Sequence, residues 1–258
     1  MEMKTERDQK IFSALLRHQA FVRSQNFEPV MTVLVGSQNY GLDLEDSDYD
    51  TYTFILPSVT EVATLAEPVS TKFQDELGDI NIKDIRIALN RLQKTSPNSV
   101  EWFASKYHII DSKYQPVLEG RITPGMLRCD TKNMLHAIVG LTKQLKTRNM
   151  TDGKRLSHML RLHSMASKYF VETPDLYDIL MPYDYDRNLG LKAKRDPDNP
   201  EWARLLVQYE RDIQEFVEQC DEDAFKDQEA ASNQKVVTLQ EDLMLYLFDS
   251  RSYHPDKK

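Results

Sequence analysis

The sequence predicts an α+β fold: a small mixed β-sheet with flanking helices, followed by a helical domain. Alternating, β-branched segments bounded by Gly and Pro lie only before Asp111, and from about residue 114 onward apolar residues recur at helical spacing alone. A chain of 258 residues has room for one large domain or two small ones. The change of pattern sets the expected units at 1–122 and 123–258.

Each element follows from a local signal. Ile11, Phe12, Leu15, Leu16 and Val22 fall at helical spacing within Glu6 to Gln25, which predicts a first helix. Pro29 to Val35 is rich in β-branched residues and stops at Gly36-Ser37, as a buried strand ending in a glycine turn would. A second strand is expected over Tyr49 to Leu56, ended by Pro57. Gly78 to Ile82 alternates polar and apolar residues, and Ile85, Ala88, Leu89 and Leu92 then switch to a helical period, so a strand feeds a helix that Pro97-Asn98 breaks. Val100, Trp102 and Phe103 form an apolar anchor before an edge strand over Tyr107 to Ile110. Helices are expected near 125–149, 151–171, 200–220 and 238–249, with exposed connections over Tyr183 to Pro200 and Asp221 to Lys235.

Composition excludes several classes of function. With 40% hydrophobic and 29% charged residues and no apolar run near the ~20 residues of a membrane span, a membrane protein is not expected. The N-terminal stretch lacks the apolar core of a secretory signal, and two distant cysteines, Cys129 and Cys220, make neither a disulfide framework nor a zinc cage. A cytoplasmic protein is the expectation. A net charge of −8 argues against non-specific coating of nucleic acid.

The acidic stretch carries the chemistry. Residues two apart on a strand share a face, so Asp48 and Asp50 in Ser47-Asp48-Tyr49-Asp50 hold two carboxylates side by side. Their mutual repulsion is relieved by hard cations, Mg²⁺ or Mn²⁺, which keep positions open for substrate phosphates. Gly36 allows close backbone approach, and the following N–H groups with the Ser37 hydroxyl can cradle a phosphate. Asp79 enters from the next strand as a third carboxylate, completing a site for two ions. Asp84 is its rival, although its position at a helix start suits a cap, and Asp75 and Glu76 fall in a loop. Taken singly, Gly-Ser marks any turn and Asp-x-Asp any acidic loop; their order along the chain is what carries the reading.

Gly36-Ser37 followed by Ser47-Asp48-Tyr49-Asp50 resembles the signature of the DNA polymerase β-like nucleotidyltransferase superfamily, and within it the bacterial and phage group associated with RNA repair. Asp79 to Arg86 falls where that group has a strand aspartate and a helix. Ser96 to Trp102 is similar to its asparagine-proline-to-glutamate segment, with Pro97 and Asn98 in reversed order. Gly153 to Leu162 resembles its Lys-x-x-x-His-x-x-Arg helix, and the likeness spans about residues 30–175.

The resemblance implies that residues 1–122 are a nucleotidyltransferase catalytic domain with Asp48, Asp50 and Asp79 as metal ligands, Asp79 also orienting the nucleophile. It implies that Lys154, His158 and Arg161 contact the NTP with Gly36 and Ser37. Spacing alone leaves those three open to ordinary surface or core roles, although i, i+4 and i+7 put them on one helical stripe. Eight Lys or Arg residues (Lys132, Lys143, Lys146, Arg148, Lys154, Arg155, Arg161, Lys168) against Asp152 alone make the 131–171 segment basic. His108, His136 and His163 have no evident partners, and Tyr40 suits packing or substrate contact equally. The expected reaction is NMP transfer from an NTP to a hydroxyl acceptor with pyrophosphate release, the acceptor being an RNA or tRNA 3′ end, a small molecule or a protein. The competing expectations are a non-catalytic nucleotide-binding regulatory module of the same fold and a purely structural protein.

Overall fold

The computed structural model describes residues 5–119, 128–170 and 176–252. The chain opens with α1 (Glu6–Ser24), whose N-cap Thr5 forms a reciprocal capping box with Asp8. There follow β1 (Pro29–Leu34), a single turn α2 (Ser37–Tyr40), β2 (Thr51–Ile55), α3 (Val59–Ala63), β3 (Ser70–Gln74), β4 (Asp79–Asp84), α4 (Ile85–Gln93), α5 (Pro97–Ala104), β5 (His108–Ile110) and α6 (Gln115–Leu118). The second half holds α7 (Thr131–Thr147), α8 (Asp152–Phe170), α9 (Leu176–Leu180), α10 (Asp184–Arg195), α11 (Glu201–Gln219), a 3₁₀ turn at Glu222–Phe225 and α12 (Lys226–Ser252).

The α+β class is as predicted, with one mixed sheet in the order β3-β4-β2-β1-β5. β1 pairs antiparallel with β2 and β5, β3 antiparallel with β4, and β2 runs parallel to β4 with Thr51 opposite Ile80. That register brings the two preceding residues, Asp50 and Asp79, together at one end of the sheet. Strand alternation divides the core: Leu34 and Ile55 join Ile11, Leu15 and Val22 of α1 on one face, while Val33 and Phe54 face Leu89, Trp102 and the second-half helices on the other. The latter core runs on without interruption through Leu156, Leu160 and Tyr169 to Val236 and Leu247. α8 is its axis, flanked by α7, α10 and α11.

Some expectations need correction. Tyr183 to Pro200 is not a loop but contains α10, and most of Asp221 to Lys235 is the beginning of α12. Pro97 does not only end a helix; it occupies the first turn of α5, where its missing N–H costs nothing and Ser96 supplies the cap. β3, with Phe73 its one large apolar residue and an exposed, intermediate, exposed pattern, was not expected at all. The expected domain boundary at 122/123, the start of the helix drawn from 125 and the Val171 end of the next one lie outside the described residues. Among the described residues no helix is long and apolar enough to cross a membrane.

Candidate active site

β1 ends in the Gly36 turn. Gly36 has φ 78° and ψ −160°, a conformation nearly closed to other residues, and a Cβ there would stand 3.3 Å from Asp50 Oδ2. The turn is held from behind by a residue to which the sequence reading gave no role. Glu101 on α5 is buried, and its Oε1 accepts from Gly36 N at 2.6 Å. Burial pushes the Glu101 carboxyl up, an effect opposed by the Arg161 guanidinium, 4.0 Å away. Arg161 donates to the Tyr40 hydroxyl at 2.6 Å and its guanidinium lies 4.4 Å from the centre of the Tyr40 ring. Tyr40 is thereby a buried link between the Gly36 turn and α8.

Asp50 sits just ahead of β2, where its carbonyl accepts from Val35 N at 2.9 Å. Its Oδ1 accepts from Asp79 N at 3.0 Å. Burial, reinforced by the neighbouring Asp79 and Asp48 charges, holds the Asp50 carboxyl above the usual range, while the Asp79 N–H and Lys72 pull it down. Asp79 Oδ2 is paired with Lys72 Nζ on β3 at 2.6 Å. Among the described residues no three carboxylate, imidazole or thiol groups stand close enough to share one ion. Asp84 is only 1% exposed; it caps α4 through Arg86 N at 2.8 Å and binds the Arg86 guanidinium through both oxygens. Asp75 accepts from Leu77 N and Gly78 N and contacts His18, so it shapes the turn ahead of Asp79.

Asp48, Asp50, Gly36, Ser37, Lys154 and His158 line one cleft of ≈ 610 Å³, within the range of small-ligand sites. Arg148 and Lys194 line the same cleft. Burial pushes the His158 imidazole down to about 3, helped by Arg161, Lys194, Lys154 and Arg148 around it. As a neutral ring, it offers hydrogen bonds among four cations. Arg161 lines an adjoining pocket of mixed polar and apolar character, which shares Gly36, Ser37, Arg148, His158 and Lys194 with the first. Asp79 lines neither and is joined to the cleft through Asp50.

Lys194 lay in the segment expected to be a loop. α10 reaches the site because Gly153 lets it settle on the start of α8: a Cβ at Gly153 would be 2.0 Å from Ala193 O, and Gly153 N donates to Pro197 O at 3.0 Å. Lys194 Nζ donates to Leu42 O at 2.5 Å, and burial and Lys154 lower its ammonium pKa. Deeper in the bundle, His163 is not partnerless: its Nδ1 lies 2.9 Å from Asp186 Oδ2, which also accepts from Ser164 at 2.6 Å, tying α8 to α10. His108 Nδ1 contacts Ser105 O at 3.0 Å.

No curated protein matches the sequence. Among solved structures, a nucleotidyltransferase-like protein from Exiguobacterium sibiricum aligns at 10% identity over 95% of this chain and 81% of its own, with a TM-score of 0.30. The profile of the RNA repair pathway DNA polymerase beta family matches residues 14–174, a span that takes in the Gly36 turn, all three aspartates, Glu101 and the basic face of α8, and stops short of α10. The chain therefore belongs to the RNA repair pathway DNA polymerase beta family.

Proposed function

We propose that the protein is a metal-dependent nucleotidyltransferase that moves NMP from an NTP to an RNA 3′ hydroxyl and releases pyrophosphate. The observation that carries this is the mixed lining of a single cleft: the Asp48/Asp50 pair, the cations Arg148, Lys154 and Lys194, and the Gly36-Ser37 turn. A triphosphate with its metal ions carries both signs of charge that such a lining complements.

The Asp pair fits hard divalent cations, because the Asp48, Asp50 and Asp79 carboxylates repel one another and a cation would relieve that repulsion. Asp48 and Asp50 would hold the ions, with Asp79 joining them once its carboxylate exchanges Lys72 for a metal. When bound, two such ions supply Lewis-acid polarisation of the phosphoryl oxygens and lower the pKa of the attacking hydroxyl. Gly36 brings the backbone close to the phosphates, and the Ser37 hydroxyl donates to them. Lys154, Lys194 and Arg148 balance the charge that develops on the departing pyrophosphate, and neutral His158 donates a hydrogen bond to it. The acceptor oxygen forms the new bond to the α-phosphorus, the bond to the bridging α–β oxygen breaks, and the acceptor proton passes to the Asp79 carboxylate. Family membership and the basic 131–171 segment favour RNA as acceptor.

Incubation of the protein with each α-labelled NTP, Mg²⁺ or Mn²⁺ and an RNA pool tests this. Label is expected on RNA 3′ ends, with release of pyrophosphate, and both are expected to vanish in the Asp48→Asn/Asp50→Asn double variant. Turnover unchanged in that variant would sink the assignment.

A further inference from the structure

The catalytic reading leaves a buried ionisable side chain close to the carboxylates without a task. His18 on α1 is fully buried, and its ring touches both segments that carry the aspartates. Nδ1 lies 2.9 Å from the hydroxyl of Thr51, the residue after Asp50, and Nε2 lies 3.3 Å from Asp75 Oδ1 in the turn ahead of Asp79. Burial pushes the imidazole below its ordinary range, which leaves the ring neutral. The Asp75 carboxylate only accepts, so Nε2–H donates to it and Nδ1 accepts from the Thr51 hydroxyl. The imidazole is a rigid bridge from α1 and β2 to the turn between β3 and β4.

Asp75 passes that restraint on. Besides meeting His18, its Oδ1 accepts from Leu77 N at 2.8 Å and Gly78 N at 3.2 Å, which closes the turn on itself. The turn and the residue after it are each bonded to the acidic segment. Leu77 O accepts from Tyr49 N at 2.8 Å, between Asp48 and Asp50, and Asp79 N donates to Asp50 Oδ1 at 3.0 Å. Gly78, with φ 153°, permits this approach, since a Cβ there would stand 3.0 Å from the Tyr49 backbone. A displaced Asp75 therefore moves the Tyr49 peptide and Asp79 together, and with them all three carboxylates.

We infer that His18 is a positioning residue for the metal site, acting through Asp75 and its turn to hold Asp48, Asp50 and Asp79 in the arrangement that takes divalent cations. The inference rests on the catalytic reading above for the role of the three aspartates. His18 itself meets neither metal nor substrate; it limits how far the carboxylates must rearrange when a cation arrives. Two amide substitutions separate its hydrogen bonds. From position 18 a glutamine amide reaches about as far as Nε2 and keeps the bond to Asp75, whereas an asparagine amide reaches about as far as Nδ1 and keeps the bond to Thr51.

The test follows Mn²⁺ binding to the full chain by the free-ion electron paramagnetic resonance signal, with urea unfolding of each variant as the measure of stability. His18→Leu, which fills the space without the nitrogens, should weaken Mn²⁺ binding about 10-fold, the lower end of what partners orienting metal ligands supply. His18→Gln should restore most of that affinity, and His18→Asn should not. Leu239→Ala, which opens a cavity in the packing of α12, should lower stability yet leave Mn²⁺ affinity unchanged. Unchanged affinity in His18→Leu, or a His18→Gln protein that binds no more tightly than His18→Asn, would overturn the inference and leave the catalytic reading standing. An equal loss in Leu239→Ala would also overturn it, by marking the effect as general destabilisation. Should His18→Leu fail to fold, the contrast between glutamine and asparagine decides. Absence of Mn²⁺ binding by the unaltered protein would defeat the catalytic reading and the inference with it.

Discussion

Replacing Gly153 with Ala sets two physical effects against each other. Gly153 lies in the first turn of α8, and helix propensity alone makes Gly→Ala favourable by ~1 kcal/mol. Packing says the reverse. The new methyl would sit 2.0 Å from Ala193 O, against a carbon–oxygen contact distance of ~3.3 Å, so the end of α10 must withdraw by about 1.3 Å. That movement breaks the Gly153 N–H to Pro197 O bond and draws Lys194 away from Leu42 O and the cleft. Overpacking of this kind costs ~1–3 kcal/mol and the lost hydrogen bond ~0.5–1.5 kcal/mol, leaving a net loss of roughly 0.5–3.5 kcal/mol after the propensity gain. At ~2–4 °C per kcal/mol for a chain of this size, the midpoint should fall by about 1–14 °C. Calorimetric unfolding with and without tripolyphosphate measures both consequences, because loss of Lys194 should also reduce the stabilisation the anion confers. A higher midpoint with undiminished tripolyphosphate stabilisation would refute the reasoning.

Other expectations are as direct. Lys72→Met frees the Asp79 carboxylate and should tighten Mn²⁺ binding, followed by the free-ion electron paramagnetic resonance signal, by about 1.5- to 5-fold, the scale of an exposed ion pair. Unchanged or weaker Mn²⁺ binding would show that Lys72 does not compete for Asp79. His158 is held near 3 in the fold, below its ordinary ~6.5, so the unfolded chain binds the extra proton first. Its contribution is therefore present above ~6.5 and lost as pH falls toward about 3. His158→Gln should flatten the loss of stability across that window in pH-dependent denaturant unfolding, and an unchanged slope would count against a buried neutral ring.

What the sequence revealed and what it hid follow from where each signal is encoded. Strand period was expected to place the Asp pair, yet β2 begins only at Thr51; Asp48 and Asp50 line one cleft from the irregular segment ahead of it, so local alternation is not what brings them there. Asp84 was legible as a cap because capping is decided within three residues. α10 was not legible. Its buried positions, Asp186, Gly190 and Ala193, have helical spacing, but none is a large apolar residue, so no hydrophobic period registers. Their smallness is what lets the helix approach Ser157 and Leu42, and Asp186 is matched there by His163, Ser164 and Tyr209. Glu101 was reached by the resemblance of Ser96 to Trp102, but its role was not legible. On an apolar helix a glutamate has no local use, and its partner, Gly36, is distant in sequence and near only in the fold.

The links that assemble the cleft become steadily longer in sequence. Asp79 to Asp50 spans 29 residues, Gly36 to Glu101 65, Arg161 to Tyr40 121 and Lys194 to Leu42 152. Closing longer loops removes more chain entropy and non-local contacts form slowly, so folding should deliver the carboxylate end of the sheet first and the Lys194 wall last. During synthesis the Asp pair would emerge from the ribosome well before α10 exists to join it, so a nascent chain would hold one part of its cleft lining before it holds the rest.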